Sequence, residues 1–140
     1  MRAAAVIAMI VAMALAPAAA AQLAKGGKKP LTAAQAQALF GIDMEGYSPT
    51  LKFNWRECID PKGETLYETP AGVQHGQLNV GPDGTACFAY ADDGYAAKSC
   101  YSVSRNGAGF LFNGAFGEVF VTTRVVSGVK SCKPNADLIG

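Results

Sequence analysis

Four cysteines constrain this chain more than any other feature, because two of them flank a turn signal symmetrically. Cys87 and Cys100 are equally far from Asp93-Gly94, and Asp-Gly is a preferred tight-hairpin dipeptide. A two-residue turn there sets Asp92 against Tyr95, Phe88 against Ser99 and Cys87 against Cys100. The cysteine pair then falls on a non-hydrogen-bonded site, where Cα atoms are about 4.5 Å apart and a disulfide can form, while a four-residue turn keeps the same partners and changes the site type. Of the connectivities open to four cysteines, this register selects Cys87–Cys100 and leaves Cys58–Cys132. The second bridge ties the first strand to the end of the chain. An even set of structural cysteines belongs in an oxidising compartment.

The N-terminus predicts how the chain gets there. Arg2 opens a short cationic region, Ala3 to Ala16 are apolar, Pro17 breaks the run, and Ala18 to Ala21 supply small residues for cleavage. This pattern predicts a cleaved signal peptide over 1–21, too short to be a comfortable membrane anchor. No second apolar span follows, so the expected location is periplasmic or secreted. Cleavage leaves 119 of the 140 residues, with eleven basic against eleven acidic side chains. That balance argues against a nucleic-acid footprint. The charged run Lys25-Gly26-Gly27-Lys28-Lys29 falls in a segment, 22–30, expected to be a flexible tail.

The rest, 31–140, reads as a single β domain. Thr32 and Gln35 form a capping box for a short helix over 32–40, and Gly41 suits the left-handed residue after it. Leu31, Leu39, Phe40 and Ile42 are its apolar anchors. So short a helix must pack on something, as a lid or plug against a sheet. Strands are expected from residue 51, cut by turns at Asp60-Pro61, Pro82-Asp83-Gly84, Asp93-Gly94, Asn106-Gly107 and Asn113-Gly114. The runs are Leu51–Ile59, Glu64–Glu68, His75–Val80, Thr85–Ala91, Lys98–Arg105, Ala108–Phe112 and Gly117–Val126, with Val129–Cys132 as an eighth candidate. Short strands so evenly spaced predict an all-β fold, an antiparallel up-and-down barrel or sandwich of about 7–8 strands.

Alternation assigns the faces. Leu51, Phe53, Trp55, Glu57 and Ile59 share the inner face of the first strand, and Lys52, Asn54, Arg56 and Cys58 the outer. In the hairpin, Phe88, Tyr90, Tyr101 and Val103 point in, while Cys87, Ala89, Cys100, Ser102 and Ser104 point out. Both disulfides are therefore expected as external staples. The candidate ligand-binding residues are Phe53, Trp55, Glu57, Tyr67, Phe88, Tyr90 and Tyr101. Glu57 is the unusual one: an inward carboxyl beside aromatics has a raised pKa or meets a polar group of a ligand. The plainer reading is a solvated or arginine-paired glutamate at the barrel mouth.

The segment from Gly76 through Leu78, Val80, Asp83-Gly84 and Cys87-Phe88 to Tyr90, followed by Cys100-Tyr101 and Val103, resembles a pattern in small exported bacterial domains of unknown function. Trp55 with Asp60-Pro61 and Gly63 is similar to their first hairpin, and the Leu31 to Phe40 helix to their usual start. The resemblance implies a lipocalin-like barrel and no known activity. The Cys58/Cys132 pair is not part of it. Bacterial periplasmic lysozyme inhibitors are similar in size, leader and stapled barrel, but their inhibitory loop sequence is not found here.

No catalytic constellation stands out. His75 is the sole histidine and alternates with polar neighbours. Asp83, Asp92 and Asp93 match no calcium-loop spacing, and there is no Cys-x-x-Cys. No catalytic residue, metal or cofactor is predicted. The expected protein is an exported, monomeric, non-enzymatic binder that holds a small apolar ligand, or binds or inhibits an envelope or secreted protein. The alternatives are a small periplasmic hydrolase using Glu57 with a loop aspartate, or a structural envelope protein.

Overall fold

The computed structural model of the protein describes residues 28–135. The expected signal peptide, 1–21, lies outside the described residues. Eight strands follow in order: β1 (Ile42–Ser48), β2 (Phe53–Ile59), β3 (Glu64–Thr69), β4 (Gly72–Val80), β5 (Ala86–Tyr90), β6 (Lys98–Asn106), β7 (Gly109–Gly114) and β8 (Val119–Ser127). Each pairs antiparallel with the next, and β1 pairs with β8 to close a barrel. Closure decides between barrel and sandwich, and it leaves no strand edge unpaired. Among the described residues, no helix is long and apolar enough to cross a membrane.

The eighth strand is not where the sequence put it. Strands were expected from 51, but β1 begins at Ile42, and Val129–Cys132 forms no strand. The β1 alternation is real: Ile42, Met44, Gly46 and Ser48 are buried. Gly46 obscures it, and Ile42 looks like the end of the helix. Leu51 is not in a strand either; it is 49 % exposed in the β1–β2 turn, where Lys52 takes a left-handed φ of 63°.

The helix is shorter than expected. Its α-helical part, α1 (Ala33–Ala36), has the expected capping box: the Gln35 N–H donates to Thr32 Oγ1 at 3.3 Å, and the Thr32 N–H to Gln35 Oε1 at 3.0 Å. A 3₁₀ turn over Gln37–Leu39 follows, and Phe40 is already extended. Leu31, Ala36 and Leu39 are buried in the core. They plug the barrel end that carries the β2–β3, β4–β5 and β6–β7 turns. Glycine is required at 84 (φ 85°), because a methyl group there would stand 2.1 Å from the Leu31 carbonyl oxygen. Residues 28–30, assigned above to the tail, lie along β6. Ser104 Oγ donates to the Lys28 carbonyl at 3.0 Å, and Leu31 N–H to the Val103 carbonyl at 2.7 Å.

Both predicted disulfides are present, with Cα–Cα separations of 4.0 Å for Cys87–Cys100 and 5.6 Å for Cys58–Cys132. Phe88 pairs with Ser99 and Cys87 with Cys100 as expected. The tight turn is corrected, however. Pairing ends at Ala89 and Lys98, so Asp92 does not face Tyr95. Residues between the strands form a 3₁₀ turn (Ala91–Asp93) and a left-handed Gly94-Tyr95 step, φ 61° and 59°. A wider loop centred on the same point keeps the same partners. The external staples are corrected in one respect. Cys58 is on the outer wall but only 1 % exposed, because the C-terminal segment covers it.

Arg56 shares that covered patch. Its guanidinium donates to Asp43 (Nε to Oδ1 2.9 Å, Nη2 to Oδ2 2.7 Å), Glu68 (Nη1 to Oε2 2.6 Å) and the Lys133 carbonyl (3.1 Å). The Asn135 N–H completes Glu68 at 2.8 Å. Burial works against the cation, but the hydrogen bonds and charges of Asp43 and Glu68 outweigh it and hold the guanidinium firmly protonated.

Candidate functional site

The inner face fills unevenly along the barrel. Near the helix, Leu39, Ile42, Ile59, Leu78, Val103 and Phe110 are almost fully buried and pack as a conventional core. Toward the other end the inward positions turn aromatic, and here the rings do not fill the interior. The space left is a cavity of about 210 Å³. Seven rings line it, from Trp55, Tyr67, Phe88, Tyr90, Tyr101, Phe112 and Phe120. With them are Met44, Glu57, Gln74, Asp93 and Ser99. Gln74 is half-buried, and Asp93 and Ser99 are exposed, so these three mark the mouth.

Two glycines make the aromatic wall possible. Gly46 pairs with Trp55 across β1 and β2, and a methyl group at 46 would stand 2.6 Å from the indole Cζ2. Gly76 pairs with Tyr90 across β4 and β5, and a methyl group there would meet the tyrosine ring at 2.6 Å. The rings then lock one another edge to face. Trp55 meets Phe120 at 5.8 Å and Phe112 at 6.2 Å between centroids, and Tyr101 meets Phe120 at 5.6 Å. These are the favoured T-shaped geometries. Tyr67 and Tyr90 lie 5.5 Å apart, and Phe88 stacks on Tyr90 at 6.4 Å.

Glu57 sits inside this wall, 4 % exposed. It is neither the solvated nor the arginine-paired residue of the plainer expectation. Among the described residues its one hydrogen bond comes from the Tyr90 hydroxyl, 3.0 Å from Oε2. Oε1 is buried with no partner among the described residues, as are Trp55 Nε1 and Thr65 Oγ1. Removal from water pushes the Glu57 carboxyl up to about 8. Thr65 and Tyr90 oppose the shift without cancelling it, though no hydrogen bond of ordinary geometry joins Thr65 to the carboxyl. Near neutral pH Glu57 is therefore mostly an uncharged acid. The hydroxyls of Tyr67 and Tyr90 are pushed up by burial and by the Glu57 charge, and that of Tyr101 to about 12 by burial and then Glu118.

The structure gathers six of the seven predicted binding residues, Trp55, Glu57, Tyr67, Phe88, Tyr90 and Tyr101, around one cavity. Phe53 is left out of the lining; it packs on Phe120 at 6.3 Å. The sequence reading missed Met44, Gln74, Asp93, Ser99, Phe112 and Phe120. Met44 lies in the unread strand, and Gln74 precedes the expected start of β4. Phe112 and Phe120 fall within expected strands whose faces had not been assigned. Asp93 had been assigned to a tight turn. His75 is exposed. Among the described residues, no three His, Cys, Asp or Glu side chains are grouped to hold a metal ion. No protein-family model, curated protein or solved structure matches this chain. The small exported domains of the resemblance are thus not shown as its family, although the disulfide-stapled barrel they implied is present.

Proposed function

We propose that this chain is an exported, non-catalytic binding protein whose barrel holds a small, largely apolar ligand. One observation carries the reading. A cavity of about 210 Å³ lies within the barrel, walled by aromatic rings and containing a buried carboxyl oxygen that has no partner among the described residues. Interiors seldom leave polar atoms unpaired unless something else satisfies them. Ligand sites have this composition, apolar walls with a few placed polar groups. A dry cavity of about 150 Å³ already admits benzene. The two disulfides suit an oxidising compartment outside the cytosol. Native mass spectrometry of the protein recovered from its own cell envelope or medium tests this. A small-molecule adduct that unfolding releases is the expected result; a bare polypeptide mass from gentle preparations would count against it.

Two other readings have support of their own. Leu51, Tyr95 and Phe116 are exposed on three separate hairpin loops at the open end, Phe116 at 97 %. That ring of apolar tips favours docking of a protein partner across the mouth. Asp93 shares the cavity with Glu57, which gives the hydrolase reading its second carboxylate. Binding remains the better account, because Asp93 is exposed on a loop while Glu57 is buried in the wall. Glu57→Gln separates the two: hydrolysis would lose orders of magnitude in rate, since an amide cannot exchange a proton.

A further inference from the structure

The cavity has a charge character as well as a shape. Among the described residues, Glu57 and Asp93 are its two carboxyl groups, and no lysine, arginine or histidine lines it. Its walls are ring faces and edges, and ring faces attract cations, more strongly where water is excluded. The partnerless Glu57 Oε1 is an acceptor in want of an N–H donor. A carboxyl, aromatic walls and no competing cation make a receptor for positive charge. We infer that the ligand is a small organic ammonium ion, its N–H donating to Glu57 Oε1 and its apolar body held between the rings around Trp55 and Tyr90. This rests on the binding reading above and names the class of ligand.

The energetics of the site agree. Each strand contributes a residue to the cavity around Glu57, and besides Glu57 the titratable ones are Tyr67 from β3, Tyr90 from β5 and Tyr101 from β6, with Asp93 from the β5–β6 loop. The tyrosines stay neutral through the physiological range, because their hydroxyls are pushed up. Glu57 is the inner group that changes charge, around 8. An entering ammonium pairs with the ionised carboxylate, and the proton that Glu57 held leaves to solvent. Binding therefore couples to proton release and strengthens as pH rises toward 8. A neutral ligand does neither.

Benzylammonium and its uncharged counterpart benzyl alcohol are suitable probes, titrated into the intact protein by calorimetry in buffers of different ionisation enthalpy. Benzylammonium should bind at least about tenfold more tightly. It should release close to one proton at pH 7 and gain about tenfold in affinity from pH 6 to 7. Glu57→Gln should abolish the preference and the proton release. The wild-type proton count stands as a test even if that variant does not fold. Equal or tighter binding of benzyl alcohol, without proton release, would overturn the ammonium assignment and leave the binding reading intact. A preference that survives Glu57→Gln would also overturn it. Binding of neither probe at tens of millimolar would remove both.

Discussion

Arg56 and Glu57 are neighbours on β2, both charged residues by type, and both less than 10 % exposed. They face opposite sides of the same wall and are treated in opposite ways. Arg56, outside, has two carboxylates, a carbonyl and a covering segment arranged around it. Glu57, inside, has one tyrosine hydroxyl and an oxygen with nothing. A buried charge that serves the fold is expected to be paired and hydrogen-bonded throughout. Arg56 meets that expectation and explains itself as architecture. Glu57 does not, and its incompleteness makes it a site candidate.

The comparison can be broken most forcefully from the outside. Cys58–Cys132 closes a sequence separation of 74 residues, and it anchors the segment whose backbone reaches Arg56 and Glu68. Replacing both cysteines by serine should cost about 4–5 kcal/mol by loop entropy, measured by urea denaturation. The shorter Cys87–Cys100 bridge, separation 13, should be worth about 3 kcal/mol on the same scale. If the two losses came out equal or reversed, the C-terminal segment would not be the strap described here.

Arg56→Met comes next. It leaves Asp43 and Glu68 without their shared cation. Breaking a buried ion pair costs about 3–5 kcal/mol. Asp43 keeps 26 % of its side-chain surface in water, so the lower end, about 3 kcal/mol, is expected. A loss below about 1 kcal/mol, the range of surface pairs, would show that the outer cluster is not buried in solution.

Glu57→Gln should move stability the other way. The folded carboxyl is pushed up to about 8, from an ordinary 4.5. Between those values the native state holds a proton the unfolded chain has lost, so stability falls as pH rises through this window and levels off above 8. Gln carries no such penalty. The variant should be more stable than wild type by about 1–2 kcal/mol at pH 7, allowing for a buried amide that is itself short of partners. Below pH 4.5, where Glu57 is uncharged in both states, the gap should reverse sign, leaving only the cost of the amide's missing partners. A destabilised variant with an unchanged pH profile would place Glu57 in water.

How much of this contrast was readable beforehand depends on which physics sets it. The opposite faces of Arg56 and Glu57 follow from strand alternation alone, and so do the inward Trp55, Phe88, Tyr90 and Tyr101. The Cys87–Cys100 register followed from loop symmetry and survived a wrong turn type, because a wider loop about the same centre keeps its partners. Period-two reasoning failed at β1, where Gly46 is inward and has no side chain to register. Its absence of bulk is what the Val121 carbonyl oxygen and the Trp55 ring require. The partners of Arg56 come from β1, β3 and the C-terminal segment, contacts that no local pattern encodes. The cavity could not be read either. It depends on whether rings from different strands leave space between them, a property of packing in three dimensions rather than of any one run.

The smallest effect expected is also the sharpest probe of the inner site. Tyr90→Phe removes the single hydrogen bond to Glu57 and little volume. At pH 6, where the carboxyl is neutral, the loss should be about 1 kcal/mol, the net worth of an ordinary hydrogen bond. The larger consequence is in the titration. The Tyr90 hydroxyl stabilises the charged form of Glu57 and so opposes the effect of burial. Without it the carboxyl should titrate still higher, and the pH at which stability levels off should rise with it. Carbon NMR of the labelled Glu57 carboxyl reads this directly, and ordinary unfolding curves read it through stability. In a Glu57→Gln background the titration disappears, and the remaining cost of Tyr90→Phe isolates the hydroxyl–amide contact. A midpoint that stays put or falls in the Tyr90→Phe protein would mean that Glu57 has another donor. The carboxyl would then be as fully provided for as the guanidinium on the far side of the wall, and the case for a ligand in the cavity would lose its main support.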